Sequence, residues 1–327
     1  MTLYVLRRFV NYAFLSLIAT CMAYVLASSI FRPGDAFYGR NPRPPQASID
    51  ASLAQLGQSP DVPVIARLWH WLVGLFTQGS LGITIGKQPV VEEIIARSGA
   101  SLRLLLIGSI IGAVVGVLLG VWGAVRQYRA SDQIVTYGSF LVFATPTFVI
   151  GVLLMIGATA LNNSLGVQLI TFTGEYSAGI NGSWWDLTLD RAVHLLLPTL
   201  ALVLMSAASY SRYQRSVMLD VLGADYIRTA RSKGLERGPA LFRHGVRIAL
   251  IPMSTFFAYS FGTLVAGSAM LEIVFSWRGM GQFLLQAVNT NDVNAAAGST
   301  LFVAILVLLS STFSEIIYAA LDPRVRS

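Results

Sequence analysis

The sequence predicts an all-α chain that crosses a membrane six times, and three observations carry that prediction. Hydrophobic residues make up 54% of the 327 positions and charged residues only 12%, about half the charge of an ordinary soluble domain. The mean hydropathy is +0.64, and six stretches reach the ~20 apolar residues that a bilayer core demands. Hydrocarbon offers no partner to backbone N–H and C=O groups, so each spanning segment must satisfy its own, which makes it a helix.

The first stretch is Phe9–Ile30. Arg7 and Arg8 precede it, as in a cleaved leader, but its apolar run of about 22 residues exceeds the 7–15 of a leader's apolar region. Residues 1–30 are therefore read as a short tail and a retained span. Cys21 lies inside it, the single cysteine of the chain, which leaves no intrachain disulfide and reads as a small packing residue. Residues 31–100 form a long connector. Pro44-Pro45 opens a short helix over "QASIDASLAQ", and "VPVIARLWHWLVGLFTQG" reads as a second, too short to span, with Ile65, Leu68, Trp69, Leu72 and Phe76 on one face. Trp69 and Trp71 suit a membrane interface.

The second stretch, Leu104–Val125, repeats Gly108, Gly112, Gly116 and Gly120 every four residues. Such a stripe lets another helix backbone approach closely, either in this subunit's own bundle, the favoured expectation, or in a second subunit. Gly123 lies off the stripe and is expected to tolerate a side chain better. The third, fourth and fifth stretches, Ile134–Leu161, Ala192–Ser211 and Ile248–Ile273, hold or adjoin Pro146, Pro198 and Pro252, each of which removes a backbone donor and sets a kink. The sixth is Ala295–Leu321, leaving 322–327 as a tail.

Six spans put both termini on one side. On that side lie Arg7, Arg8, Arg126, Arg129, the basic residues of the connector 212–247 (Arg212, Arg215, Arg228, Arg231, Lys233, Arg237, Arg243, Arg247) and Arg324 and Arg326; the short connectors opposite hold only Arg191 and Arg278. Positive charge marks the cytoplasmic face in short loops, while long connectors count little. Both termini and the 212–247 loop are therefore expected in the cytoplasm, and 31–100 outside it.

The basic loop has order beyond its charge. Leu219, Leu222, Tyr226, Ile227 and Ala230 form an apolar stripe at helical steps, with Asp225, Arg228 and Arg231 on another face. Gly234 follows Lys233, the usual cue for a helix ending on a left-handed glycine. Gly238-Pro239 then opens a second helix that leads into "ALIP". A short amphipathic helix of this kind lies on a membrane surface or seats in a groove of a partner.

"DYIRTARSKGL" followed by "RHGVRIALIP" resembles the cytoplasmic signature loop of binding-protein-dependent ABC importer permeases, in particular the B-type subunit of the oligopeptide, dipeptide and nickel group. Arg228-Thr229-Ala230 stands at the EAA position, Gly234 at the signature glycine, and Pro252 closes the pattern. "FRPGDAF", "QGSLGITIGKQPVVEEI", "ATPTF", "LEIVFSWRGMGQFLLQAV" and "SEIIYAALDPRVR" extend the likeness along nearly the whole chain. Arg278 stands where proline is usual, and "NTNDVNAA" lacks the usual Asp-x-Pro, which leaves that turn's geometry open.

The resemblance implies a type I importer permease fold, with a core over 101–321 and a coupling segment of Gly223, Ala224, Asp225, Tyr226, Ile227, Arg228, Thr229, Ala230, Arg231, Lys233 and Gly234 that docks on an ATPase. It implies a C-type permease as heterodimer partner, two cytoplasmic ATPase subunits and an extracytoplasmic solute-binding protein, in the lipid of a bacterial cytoplasmic membrane, with no nucleic acid. Peptides are the expected cargo; nickel and glutathione importers share the scaffold.

Other chemistries find little support. "GITIGKQ" has three residues between Gly82 and Gly86, and Gln88 where a phosphate loop has Ser or Thr. ATP and Mg are therefore expected on partner chains, with no cofactor on this one. His70, His194 and His244 are scattered, without neighbours at metal spacing. A secondary transporter would show buried charges or paired broken helices, and a membrane enzyme a clustered catalytic set; neither pattern stands out. Cysteine labelling of Ser232 and Asn181 is expected to place them on opposite sides, Ser232 inside. Labelling of both from one side would end the six-span reading.

Overall fold

A computed structural model describes residues 2–38, 41–180 and 182–321. Asn181 and the tail 322–327, with Arg324 and Arg326, lie outside them. The helices are α1 (Thr2–Ile30), α2 (Asp35–Tyr38), α3 (Gln46–Gln55), α4 (Val64–Gln78), α5 (Val90–Val125), α6 (Ala130–Ala144), α7 (Thr147–Leu165), α8 (Trp184–Leu222), α9 (Asp225–Ser232), α10 (Arg237–Ala240), α11 (Arg247–Val274), α12 (Met280–Asn289) and α13 (Val293–Leu321), with a π-helical turn, Leu241–Val246, ahead of α11. Among the described residues the only β pairing is an isolated bridge, Ile83 with Pro89.

Among the described residues, five segments are long and apolar enough to cross a membrane: Leu6–Ile30, Val90–Val125, Thr147–Leu165, Trp184–Leu222 and Val293–Ala320. The expected fifth span corresponds to α11, a 28-residue helix with Pro252 inside it. The expected third span, Ile134–Leu161, is not one helix. It breaks at Thr145-Pro146, where Pro146 takes φ −55° and ψ 139° and caps α7, because the residue before a proline is driven out of the helical region. Pro198, by contrast, stays inside the 39-residue α8. Large apolar side chains such as Phe14, Leu118, Leu153 and Phe313 stand exposed on these helices, a surface suited to lipid.

Chain contacts divide the protein into two units. The first contains Arg103–Trp277 with the chain ends, and its frame is α5 against α8. A Cβ added at Gly108, Gly112, Gly116 or Gly120 would come closer than 3.0 Å to the Cβ of Leu202, Ser206, Tyr210 or Gln214 in turn. The stripe therefore packs within this subunit, on α8. Both numberings rise together in steps of four, so α5 and α8 run parallel. A parallel pair requires an odd number of crossings between them, which α6 and α7 provide as one broken span. Gly123 is not the open position that its spacing suggests: a Cβ there would lie 2.9 Å from an Asp132 carboxylate oxygen. The ring of Tyr210 packs edge-on to Phe256 at 5.0 Å and its hydroxyl pairs with Ser260 Oγ at 2.6 Å, tying α8 to α11. Gly151 of α7 lies against Leu271 and Phe275.

The second unit contains Arg7–Leu102 and Arg278–Leu309. Pro45 caps α3, as expected, and Pro63 caps α4, which ends on left-handed Gly79. The apolar face expected for α4 splits in two. Ile65, Trp69 and Phe76 are exposed, whereas Leu68, Leu72 and Leu75 pack beside buried Trp71, Tyr24 and Phe283. Trp71 is thus a core residue, its indole N–H donated to the Leu81 carbonyl at 3.1 Å. Gly82 to Gln88 folds as a tight turn, with the Thr84 N–H donated to the Gln88 carbonyl and the Lys87 N–H to the Thr84 carbonyl.

The turn left open by "NTNDVNAA" is also defined. Asn291 is left-handed at φ 57°. Asp292 accepts the Ile85 N–H at 2.7 Å and the Ala295 N–H at 2.9 Å, capping α13. Asn294 donates to the carbonyls of Leu56 and Ile83.

Gly112→Ala or Gly116→Ala is expected to destabilise the chain by about 1–3 kcal/mol through overpacking. Gly157→Ala, where no atom lies within 4 Å of the added carbon, should be neutral or slightly stabilising through helix propensity. Thermal unfolding of the detergent-solubilised chain measures both. Equal melting temperatures for all three would show that the close approach is dispensable.

Candidate functional site

The site is the foot of the first unit, where the chain leaves α8, turns twice and enters α11. Residues 212–222, expected in the connector with Leu219 and Leu222 on its short amphipathic helix, continue α8 instead, so that stripe is divided between α8 and α9. The helix stops at Gly223, whose N–H bonds the Asp220 carbonyl at ordinary φ −86°. Ala224 then leads into α9.

α9 is eight residues long and strongly two-sided. Ile227 and Ala230 are buried, 5% and 9% exposed. Ile227 sits in a cluster with Val121 and Ala124 of α5, Met218 and Val221 of α8, Leu241 of the π turn and Ala249 of α11. The expectation that these two residues meet a partner is thereby corrected: their side chains fill this subunit's own foot. The outward face carries Asp225, Tyr226, Arg228, Thr229, Ser232 and Lys233. Asp225 and Arg228 lie 3.6 Å apart with side chains 95% and 76% exposed, so water screens the pair. The side chain of Arg231 lies outside the described residues, as does that of His244.

Gly234 takes φ +90°, as the sequence predicts. Just past it the Leu235 N–H reaches back to the Ala230 carbonyl at 3.3 Å, closing the end of α9 as a helix-terminating glycine allows.

Above this foot lies a contact that sequence reasoning missed. Arg215 of α8 donates from Nε and Nη2 to the two oxygens of Asp132, both at 2.7 Å. Asp132 is in the first turn of α6 and also accepts the Tyr128 N–H at 3.0 Å. Its side chain is 3% exposed and that of Arg215 24%. The Arg215 guanidinium, helped by the Tyr128 and Thr136 hydrogen bonds against the opposing effect of burial, holds the Asp132 carboxyl below its ordinary range. The pair ties the α5–α6 turn to α8 beside Gly123. Charge counting placed Arg215 in a loop; only the continuation of α8 brings it opposite an acid 83 residues earlier.

Among the described residues no group of three metal-ligating side chains occurs. His194 is buried, with Nδ1 2.9 Å from the Asp190 carbonyl and 3.2 Å from Thr171 Oγ1, a structural pairing. His70 lines a separate pocket of the second unit.

Asp132→Asn is expected to destabilise the chain by about 3 kcal/mol, since it strands a partly buried guanidinium. Because the folded carboxyl titrates below its ordinary value, the pair's contribution is complete at neutral pH and is lost only as pH falls through the ordinary value of about 3.8 and below. The melting-temperature gap between the two proteins should therefore stay constant from about pH 8 to 5 and shrink in stronger acid. A gap that vanishes at neutral pH would remove this role.

Comparison with known proteins completes the picture. Residues 116–327 match the family described as the binding-protein-dependent transport system inner membrane component. The chain is 50% identical over 326 residues to the oligopeptide transport system permease protein OppB of Mycobacterium tuberculosis, covering 100% of this chain and 99% of that one. It is 32% identical to the oligopeptide transport system permease protein AppB of Bacillus subtilis, covering 99% of each. It is 31% identical over 287 residues to the dipeptide transport system permease protein DppB of Escherichia coli, covering 84% of each.

Proposed function

Because the chain belongs to the binding-protein-dependent transport system inner membrane component family, we propose that it is the B-type permease subunit of an ATP-driven peptide importer. The cargo reading rests on the relatives, which are named for oligopeptides and dipeptides and match over most of their length. In this reading the chain forms half of the translocation pathway with a C-type permease, receives cargo from an extracytoplasmic solute-binding protein and is driven by two ATPase subunits. It carries out no bond chemistry and holds no cofactor; ATP and Mg belong to the ATPases. Both termini and α9 face the cytoplasm of a bacterial cell, in keeping with the charge distribution.

The observation that carries the coupling role is the two-sidedness of α9. Its inner face is packed into α5, α8 and α11 at once through Ile227, and its outer face is polar and exposed. A force on the outer face therefore reaches three long helices through one hydrophobic contact. Closely packed interiors do not deform continuously, so the expected response is a shift between two discrete arrangements. ATPase closure would supply the difference in binding free energy between those arrangements, and alternating access would follow. Tyr226, Arg228, Thr229 and Lys233, flanked by Gly223 and Gly234, are the surface offered to the ATPase.

Arg228→Glu combined with Lys233→Glu is expected to weaken ATPase co-purification and peptide-stimulated hydrolysis by about tenfold or more, with the amount of chain in the membrane unchanged. Ala230→Asp acts differently: it buries a charge in this subunit's foot and should lower the amount of chain itself. Normal transport by the charge-reversed protein would dismiss α9 as the coupling surface.

A further inference from the structure

The first unit contains a cavity of about 740 Å³ lined from α6, the start of α7, α8 and α11, a volume typical of sites for small organic ligands. Aromatic rings and hydroxyls make up much of its wall, and among the described residues no Asp or Glu lines it. Two guanidinium groups do, those of Arg212 and Arg215. Arg215 is neutralised by its paired contacts with Asp132. Arg212 has no carboxylate partner among the described residues. Its guanidinium carbon lies 4.5 Å from the centre of the Phe140 ring and 4.8 Å from that of Phe143. Ser209 and Ser216, three residues before Arg212 and four after it, also line the cavity, so the three share one face of α8.

The cavity thus presents one uncompensated positive charge, held against ring faces, with hydroxyls beside it on the helix. A guanidinium stacked on aromatic rings keeps its N–H edge free in its own plane. That edge matches the two oxygens of a carboxylate. We propose that Arg212, with Ser209 and Ser216, forms a subsite for the carboxylate of the cargo, namely the C-terminal carboxylate of a peptide. The proposal rests on the peptide-importer reading above and adds to it the group by which cargo is held in this subunit. The logic suits cargo of variable sequence. Every free peptide has a main-chain carboxylate, so one fixed guanidinium recognises them all, while rings and small hydroxyls accept side chains of many kinds.

The test is uptake of radiolabelled trialanine and of its C-terminal amide by the native host. Strains lack this chain or carry it as wild type, Arg212→Gln or Arg212→Lys, and chain abundance is measured in each. The solute-binding protein is common to all strains, so a change in the ratio of acid to amide uptake reports the permease. Arg212→Gln is expected to lower that ratio about tenfold or more, the range for losing hydrogen bonds to a charged group. Arg212→Lys should restore part of it, because charge returns without the planar fork. An unchanged ratio, or equal loss of acid and amide uptake, overturns the proposal. Failure of both variants to accumulate overturns it as well, assigning Arg212 to the packing of α6 on α8. A wild-type chain that adds no peptide uptake over the deletion strain instead removes the peptide-importer reading, and the subsite with it.

Discussion

Every other feature of the first unit depends on how closely α5 can approach α8. Four glycines at steps of four place the α5 backbone directly on the side chains and carbonyls of α8. In hydrocarbon there is no hydrophobic drive between helices, so association relies on dispersion and on close backbone contact. The glycines supply both along about four turns. With α5 and α8 locked in parallel, the position of everything at their lower ends is set. The α5–α6 turn arrives opposite Arg215, and Val121 and Ala124 arrive beside Met218 and Val221.

That arrangement explains why the foot is built as it is. A short helix such as α9 is too small to be stable alone. It exists because Ile227 enters a cluster already formed by three long helices, and because Gly234 adopts a backbone conformation that other residues resist. The Asp132–Arg215 pair holds the next turn above. It is a contact between unlike charges in a confined space, where two parallel hydrogen bonds offset the cost of desolvation. Together these contacts bury Ile227 and leave the polar face of α9 exposed.

The two units solve the same physical problem with different means. The first relies on small residues, rings and the buried Asp132–Arg215 pair. The second places Asn294 and Asp292 against backbone groups of distant segments, satisfying buried donors and acceptors that short helices leave over.

The sequence by itself determined the class of the protein, since hydropathy and the demand for internal hydrogen bonds leave a membrane chain no alternative to helices. It also determined local events whose causes are local: the starts of α3 and α4 after prolines, the left-handed Gly234, and the existence and amphipathic character of α9. Tertiary structure decided everything that depends on which face meets which neighbour. Periodicity identified an apolar face on α9 but had no means of saying whether that face turns inward or toward a partner, and it turned inward. The same limit separated Trp71 from Trp69, and made Gly123 as confined as the stripe that it does not belong to. Charge counting registered Arg212 and Arg215 as two units of topology. Only the fold, by continuing α8 past Ser211 and bringing α6 alongside it, gave one of them an acid and the other a pair of aromatic rings. Contacts between residues 83 apart depend on helix register and crossing, and no local pattern encodes those.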